Sequence, residues 1–387
     1  MPFVPYGRQS IDDADVAAVL AVLRSDHLTQ GPVVDAFERA LGETVGARHC
    51  VAVNSATAAL HIACLALGVG PGDLVWTSPI SFVASANCAL YCGAEIDFVD
   101  IDPVTLNMSV DALQEKLRSA EAAGQLPKVV IPVHLCGLPC DMPAIGALAR
   151  RYGFKVIEDA SHAIGARDGS DLVGACTHSD IAVFSFHPVK IITTGEGGCC
   201  ITQDADLGKA LLRLRSHGIT RDENDMSGLS DGPWYYEQID LGFNYRMTEL
   251  QAALGLSQLR RLNDFIAHRH RLADRYDEDL RALAVDLPRR PADSLSSLHL
   301  YVVQLRLDEI ALSHRQVFEG LRQRDIGVNL HYIPIYRQPY YRALGFRPGH
   351  CPNAEAYYAR AISIPIFHGM TEPQQDQVVA ALKEVLR

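Results

Sequence analysis

Seven short apolar runs punctuate the first half of the chain: HCVAV (49–53), DLVWTS (73–78), EIDFVD (95–100), KVVIPV (128–133), FKVIED (154–159), DIAVFSF (180–186) and GGCCIT (197–202). Most are continuous rather than alternating, as expected of strands covered on both faces. Between them lie stretches of helical periodicity, around 111–123 and in MPAIGALARRYG (142–153), whose closing glycine is a helix stop. Strands alternating with helices predict an α/β fold on a mainly parallel sheet. Past this region the texture changes, and residues 246–283 read as one long helix with arginines along its polar face. Beyond it come the strand-like LHLYVVQLRL (298–307), a helix around 314–324 and the Tyr- and Pro-rich loop HYIPIYRQPYY (331–341). The expected division is a large domain over 1–245, then a bridging helix and a smaller C-terminal α+β domain over 246–387.

Composition narrows what such a fold can do. The chain has 387 residues, 48% hydrophobic and 21% charged, enough for a sizeable core and without low-complexity tracts or repeats. Its 46 acidic residues outweigh 35 Lys+Arg for a net charge of −11, so the basic footprint of a nucleic-acid or membrane-surface binder is missing. No apolar window is long enough to span a bilayer, and the start has no basic segment leading into an apolar stretch. The expectation is a soluble, cytoplasmic protein with no nucleic-acid or membrane partner. Ten cysteines are present; Cys50, Cys64 and Cys88 sit in apolar runs and Cys199 and Cys200 in a strand, which favours buried free thiols over disulfides. The spacings Cys88-x-x-x-Cys92 and Cys136-x-x-x-Cys140 are loose for zinc, and no metal site is expected. Only Lys116, Lys128, Lys155, Lys190, Lys209 and Lys383 are lysines, so any lysine chemistry has few candidates.

Open α/β sheets bind ligands beyond the carboxyl ends of their strands. Asn54-Ser55-Ala56-Thr57 follows the first strand and opens an apolar helix, whose free N–H groups make either a phosphate cup or a plain N-cap. Glu158-Asp159 ends another strand and precedes Ala160-Ser161-His162; a carboxylate there can hold a protonated ring nitrogen, or simply cap. The most specific signal is SFHPVKIITTGEGG (185–198), in which Lys190 lies just past an apolar strand, between Pro188 and a glycine-rich turn. An amine in a dry pocket loses its proton readily and attacks carbonyls, which is Schiff-base chemistry. The other lysines sit in polar contexts and read as solvated charges. Gly242-Phe243-Asn244-Tyr245-Arg246, before the long helix, alone reads as a turn. The glycine-rich GVGPGD (68–73) follows a helix and lacks the spacing of a dinucleotide fingerprint.

In this order and spacing, the phosphate cup, the carboxylate and Ser-x-x-x-x-Lys resemble the fold-type-I pyridoxal-phosphate-dependent transferases, specifically the sugar aminotransferase family (DegT/DnrJ/EryC/StrS-like). The resemblance runs from Tyr6-Gly7-Arg8 through LTQGP (28–32), NSATAAL (54–60), SPISFVASAN (78–87), EDASHAIG (158–165), SFHPVKIITTGEGG (185–198), RSHGI (215–219) and NYRMTELQAALGLSQL (244–259) to VNLHYIPIY (328–336). It implies a seven-stranded, mainly parallel sheet and pyridoxal 5'-phosphate as cofactor. Lys190 matches the lysine that holds the cofactor and shuttles the proton, and Asp159 the carboxylate that keeps its ring nitrogen protonated. Phe82 matches the aromatic stacked on the ring, although core packing is open to it, and His162 the polar residue beside the ring. Ala56, Thr57 and Ser185 match phosphate contacts, and Asn244 one that arrives from a neighbouring subunit, which implies a homodimer. Substrate contacts are implied for Tyr6, Asp26, His27, Leu28 and Thr29, and for Asn329, Leu330, His331 and Tyr332. A dehydratase subgroup carries histidine at the lysine position; Lys190 therefore implies amino transfer. Within the family the LTQGP and HPVK segments are most similar to enzymes aminating the 4-position of a UDP-linked 4-keto-6-deoxy amino sugar in pseudaminic acid biosynthesis, with L-glutamate as donor. The alternatives are a related enzyme for another keto sugar or position, and a non-catalytic cofactor-binding regulator.

Overall fold

The computed structural model describes residues 2–228 and 230–387. All seven apolar runs form strands of one sheet, in the spatial order His49–Val53, Gly198–Thr202, Ile181–Ser185, Lys155–Asp159, Val129–Ile131, Leu74–Thr77, Glu95–Phe98. Gly198–Thr202 is antiparallel to both its neighbours, and the remaining pairings are parallel. Continuous apolar runs are required because successive side chains enter different layers. Ile181 and Val183 pack with Ile62 and Leu211 on one face, while Ala182 and Phe184 pack with Phe37 and Phe265 on the other. Toward the far edge of the sheet a third cluster gathers Val130, Val156 and Trp76 under the helices Val110–Ala123 and Met142–Tyr152.

The long C-terminal helix breaks in two. Glu249–Leu259 and Leu262–Asp279 are separated by Arg260 and Arg261, where the sequence pattern runs on uninterrupted. The first helix is buried against Asp13–Leu23 and Pro32–Val45, whereas the second buries Leu272, Ala273 and Tyr276 in the C-terminal core. No straight helix presents its faces to both, and Arg261 fixes the corner by pairing with Asp12 at 2.9 Å and with the fully buried Asp15 at 2.5 Å. The C-terminal core is organised on the antiparallel strands Val285–Asp286, Tyr301–Leu305 and Ala361–Ile364. Val4 belongs to that core and bridges Ile326, so the N-terminal segment crosses over to it. The division at 245/246 is kept as a proposal, with that crossing.

Two local expectations are corrected. Lys116 is not a solvated charge: its Nζ lies 2.6 Å from Asp97, donates to the Phe98 carbonyl at 2.7 Å, and sits 4.9 Å from the Trp76 ring centroid. All ten cysteines are free thiols, but Cys50 is only half-buried. No helix among the described residues is long and apolar enough to cross a membrane.

Candidate active site

The ends of the strands Lys155–Asp159 and Ile181–Ser185 lie side by side, with Asp159 in register with Val183. Because side chains alternate along a strand, Glu158 and Asp159 part company. Glu158 turns away to His134, 2.9 Å off, and to the Ser179 hydroxyl. The His134 Nδ1 accepts the Cys140 N–H at 3.0 Å, which leaves Nε2 as the nitrogen that donates to Glu158. Asp159 alone faces a cleft of about 560 Å³, with 4% of its surface exposed.

Beyond Ser185 the chain makes a closed loop. Phe186 N–H donates to Gly197 O, Thr194 N–H and the Thr193 hydroxyl donate to Phe186 O, and Lys190 N–H donates to His187 O. The loop sets Lys190 on the cleft wall. Burial pushes its amine down to about 8, against the opposing pull of Asp159, which acts through its charge. A fixed amine near that value has about a tenth of its population uncharged at neutral pH, against roughly one part in three thousand for an ordinary lysine.

The helix Ala56–Ala66 starts at the opposite wall. Ser55 caps it by accepting the Ala58 N–H at 3.1 Å, which leaves the Ala56 and Thr57 N–H groups as the orphan donors of a helix start lining the cleft. Thus the plain cap and the phosphate cup coexist, the cap on Ser55 and the cup on its two successors. Gly198 makes the approach of strand to helix possible: a Cβ there would lie 2.5 Å from Ala56 N. Ser185, buried at its own strand end, lines the same wall.

Phe82 is 60% exposed and lines the cleft, which removes the core-packing alternative. His162 accepts the Cys136 N–H at Nδ1, 3.2 Å, and its Nε2 meets the Tyr332 hydroxyl at 3.2 Å. That pattern fits a neutral ring donating from Nε2, and burial together with the Lys190 charge pushes its pKa well down. From the C-terminal region, Asn329, Leu330, His331 and Tyr332 complete the wall beside Tyr6. His331 is fixed by Ser363 at 2.8 Å and Asn329 at 3.3 Å, and burial with the Lys190 charge lowers it to about 3. Residues not singled out from sequence also line the cleft: Ser81, Ser85, Ser161, Glu196 and His299. A lone serine in an apolar helix has no periodic signature. His299, by contrast, heads a strand-like run and was open to being noticed.

Five expected contacts lie elsewhere in the protomer. Asp26, His27, Leu28 and Thr29 are exposed and flank the start of Glu249–Leu259, where Thr29 bridges Thr248 and Leu28 O accepts the Glu249 N–H. Asn244 is exposed too, bridging Ser216, while the next residue, Tyr245, offers its carbonyl to Asn54 N–H at 2.8 Å. Both segments therefore share one rim next to the helix start, outside the cleft of their own chain.

The donor set fits pyridoxal phosphate. Two helix-start N–H groups and the Ser185 and Thr57 hydroxyls suit a dianion, Asp159 suits a ring N–H, Phe82 offers an open aromatic face, and Lys190 offers an amine bound to no acceptor among the described residues. Among the described residues no cluster of His, Cys, Asp or Glu is arranged to hold a metal ion.

A profile of the DegT/DnrJ/EryC1/StrS aminotransferase family matches residues 9–383. The spore coat polysaccharide biosynthesis protein SpsC of Bacillus subtilis is 36% identical over 388 residues, covering 100% of this chain and 97% of that one. Among solved structures, Helicobacter pylori PseC, an aminotransferase involved in the biosynthesis of pseudoaminic acid, superposes with a TM-score of 0.90 at 29% identity over 99% of each chain. The sugar aminotransferase CalS13 of Micromonospora echinospora gives 0.85 at 28% identity, covering 98% of this chain and 99% of that one.

Proposed function

The chain belongs to the DegT/DnrJ/EryC1/StrS aminotransferase family, and from that premise we propose that it carries an amino group from L-glutamate to the 4-keto carbon of a UDP-linked 4-keto-6-deoxy acetamido sugar, the amination step of pseudaminic acid biosynthesis. It is a sugar aminotransferase, and its cofactor is pyridoxal phosphate. The non-catalytic regulator is set aside. The observation that carries the catalytic reading is the Lys190 amine, with no acceptor among the described residues and with a lowered pKa, facing one cleft with Asp159 and the Ala56 helix start.

When bound, the cofactor supplies a carbonyl that condenses with amines and a cationic ring that takes up the electron pair left when a Cα–H bond breaks. The protein's part is placement and proton traffic. The Ala56 and Thr57 N–H groups and the Ser185 hydroxyl would hold the phosphate. Asp159 would hold the ring nitrogen in its charged state, and Phe82 would cover one ring face. Lys190 would hold the cofactor between turnovers, then, displaced by the donor, take the proton from the donor carbon at Nζ and give it up again from the same face. The neutral His162 and Tyr332 hydroxyl offer uncharged hydrogen bonds, leaving Lys190 as the mobile proton carrier.

Support for the 4-keto substrate comes from the LTQGP and HPVK segments and from the likeness to PseC. A second reading, a related aminotransferase for another nucleotide-linked keto sugar, is favoured by the higher identity to SpsC. Purified protein is to be incubated with L-glutamate and UDP- or dTDP-linked keto sugars, and products read by mass and NMR. A 4-amino product from the UDP sugar alone is expected; amination only of a dTDP sugar, or at another carbon, replaces the proposal with the second reading. Lys190→Ala is expected to lose amino transfer by at least a thousandfold, as removal of a covalent and proton-carrying group implies.

We also propose that the rim bearing Asn244 and Asp26–Thr29 serves the cleft of a second protomer in a homodimer. What supports this is that these residues, which match phosphate and substrate contacts of the family, are exposed on the rim outside the cleft of their own chain.

A further inference from the structure

The Asp159 carboxylate has its own support, and it comes from the segment that carries Phe82. Ser85 Oγ lies 2.6 Å from Asp159 Oδ2 and 2.6 Å from Ser81 Oγ, while the Ser161 N–H donates to Oδ1 at 3.2 Å. Ser85 and Ser81 are 1% and 5% exposed, so bulk water does not compete for these bonds. Each hydroxyl has one proton to give. The Ser85 hydroxyl also reaches the Phe82 carbonyl, at 3.2 Å, but the shorter contact to a carboxylate is the stronger one. The Ser85 proton therefore points to Asp159 and the Ser81 proton to Ser85, a chain directed at the carboxylate. Ser85 stands in the first turn of Ala84–Tyr91, a helix whose Ala86, Cys88 and Ala89 are buried in the main core, so the donor rides on a rigid element.

We propose that Ser85, backed by Ser81, is the positioning residue that fixes the Asp159 carboxylate for the cofactor ring nitrogen. The five residues Ser81–Ser85 then serve two sides of one ligand, Phe82 at its face and Ser85 behind the group at its edge. This rests on the aminotransferase reading. With Ser85→Ala the carboxylate loses its strongest donor and gains freedom to rotate, at an expense typical of a charge-assisted hydrogen bond.

The test is a cofactor titration of ligand-free protein, followed by steady-state kinetics of the reloaded enzyme. For Ser85→Ala the dissociation constant for pyridoxal phosphate is expected to rise about tenfold. The turnover number is expected to fall with KM for L-glutamate changed less than twofold, since Ser85 acts on the ring site and not on the donor. Ser81→Ala, which leaves the Ser85 bond in place, is expected to show a smaller effect of the same kind, and Ser85→Thr, which keeps the hydroxyl, to recover most of the affinity. Unchanged circular dichroism separates these effects from misfolding. If the parent takes up the cofactor and Ser85→Ala binds it as tightly and turns over as fast, the positioning role is overturned and the aminotransferase reading stands. Equal loss in Ser85→Ala and Ser85→Thr, with KM rising in step, likewise overturns it in favour of a packing role. A parent protein that takes up no pyridoxal phosphate overturns both.

Discussion

Lys190 owes its chemistry to burial and a neighbouring charge pulling in opposite directions. Burial lowers its amine to about 8, and the Asp159 charge raises it. Capture of pyridoxal phosphate by the ligand-free protein needs the uncharged amine, so its rate is expected to climb with pH to a midpoint near 8 rather than at the ordinary 10.5. Asp159→Asn removes the raising charge, and the midpoint is expected to move below 8; stopped-flow absorbance across pH 6 to 10 would reveal an unmoved or rising midpoint if the coupling were absent. Sequence was informative here because lysine is scarce and only Lys190 follows a buried strand. It was silent about Ser85, since the chain that makes Ser85 a donor to Asp159 joins residues 74 positions apart. Local pattern alone leaves Glu158 and Asp159 equivalent, because which of two neighbours faces the cleft depends on which face of the strand is covered by what; it is the family resemblance that singles out Asp159.

At the scale of elements, the strand Gly198–Thr202 and the helix Ala56–Ala66 meet with no room for a side chain. An alanine at Gly198 would bring its Cβ to 2.5 Å from Ala56 N and 2.7 Å from Ala56 Cα, both backbone atoms that cannot swing aside. Gly198→Ala is expected to cost about 1–3 kcal/mol in urea unfolding and to weaken cofactor binding beyond that, because the displaced group is a proposed phosphate donor. Unchanged affinity in a stably folded variant would show that the helix start does not hold the phosphate. All seven strands were readable because each is a short β-rich run of the right length and most are continuously apolar. Their spatial order was not, being set by contacts far apart in sequence. Nor was the corner at Arg260 and Arg261, since two helices with different buried faces can be written as one amphipathic stretch when only local periodicity is read.

For the whole molecule the question is which protomer each residue serves. Lys190 and Asn244 belong to separate surfaces of the chain, one inside the cleft and one on the rim. In the proposed homodimer, mixing Lys190→Ala with Asn244→Ala, each expected to be inactive alone, is expected after dissociation and reassociation to restore about a quarter of parental activity, because half of the randomly formed dimers would contain one intact site of two. No recovery would place both residues in the service of a single protomer. The sheet carries a further consequence, for the order of assembly as the chain emerges from the ribosome. His49–Val53, followed at its end by the helix Ala56–Ala66, pairs within the sheet only with Gly198–Thr202 among the described residues. The first strand made therefore has no partner until roughly 150 more residues have been synthesised, a long-range closure of the kind that slows folding. Nascent chains ending before Gly198 would carry that strand with its ladder groups unpaired, held only by helix packing, and the cofactor pocket would come into being among the last parts of the large sheet.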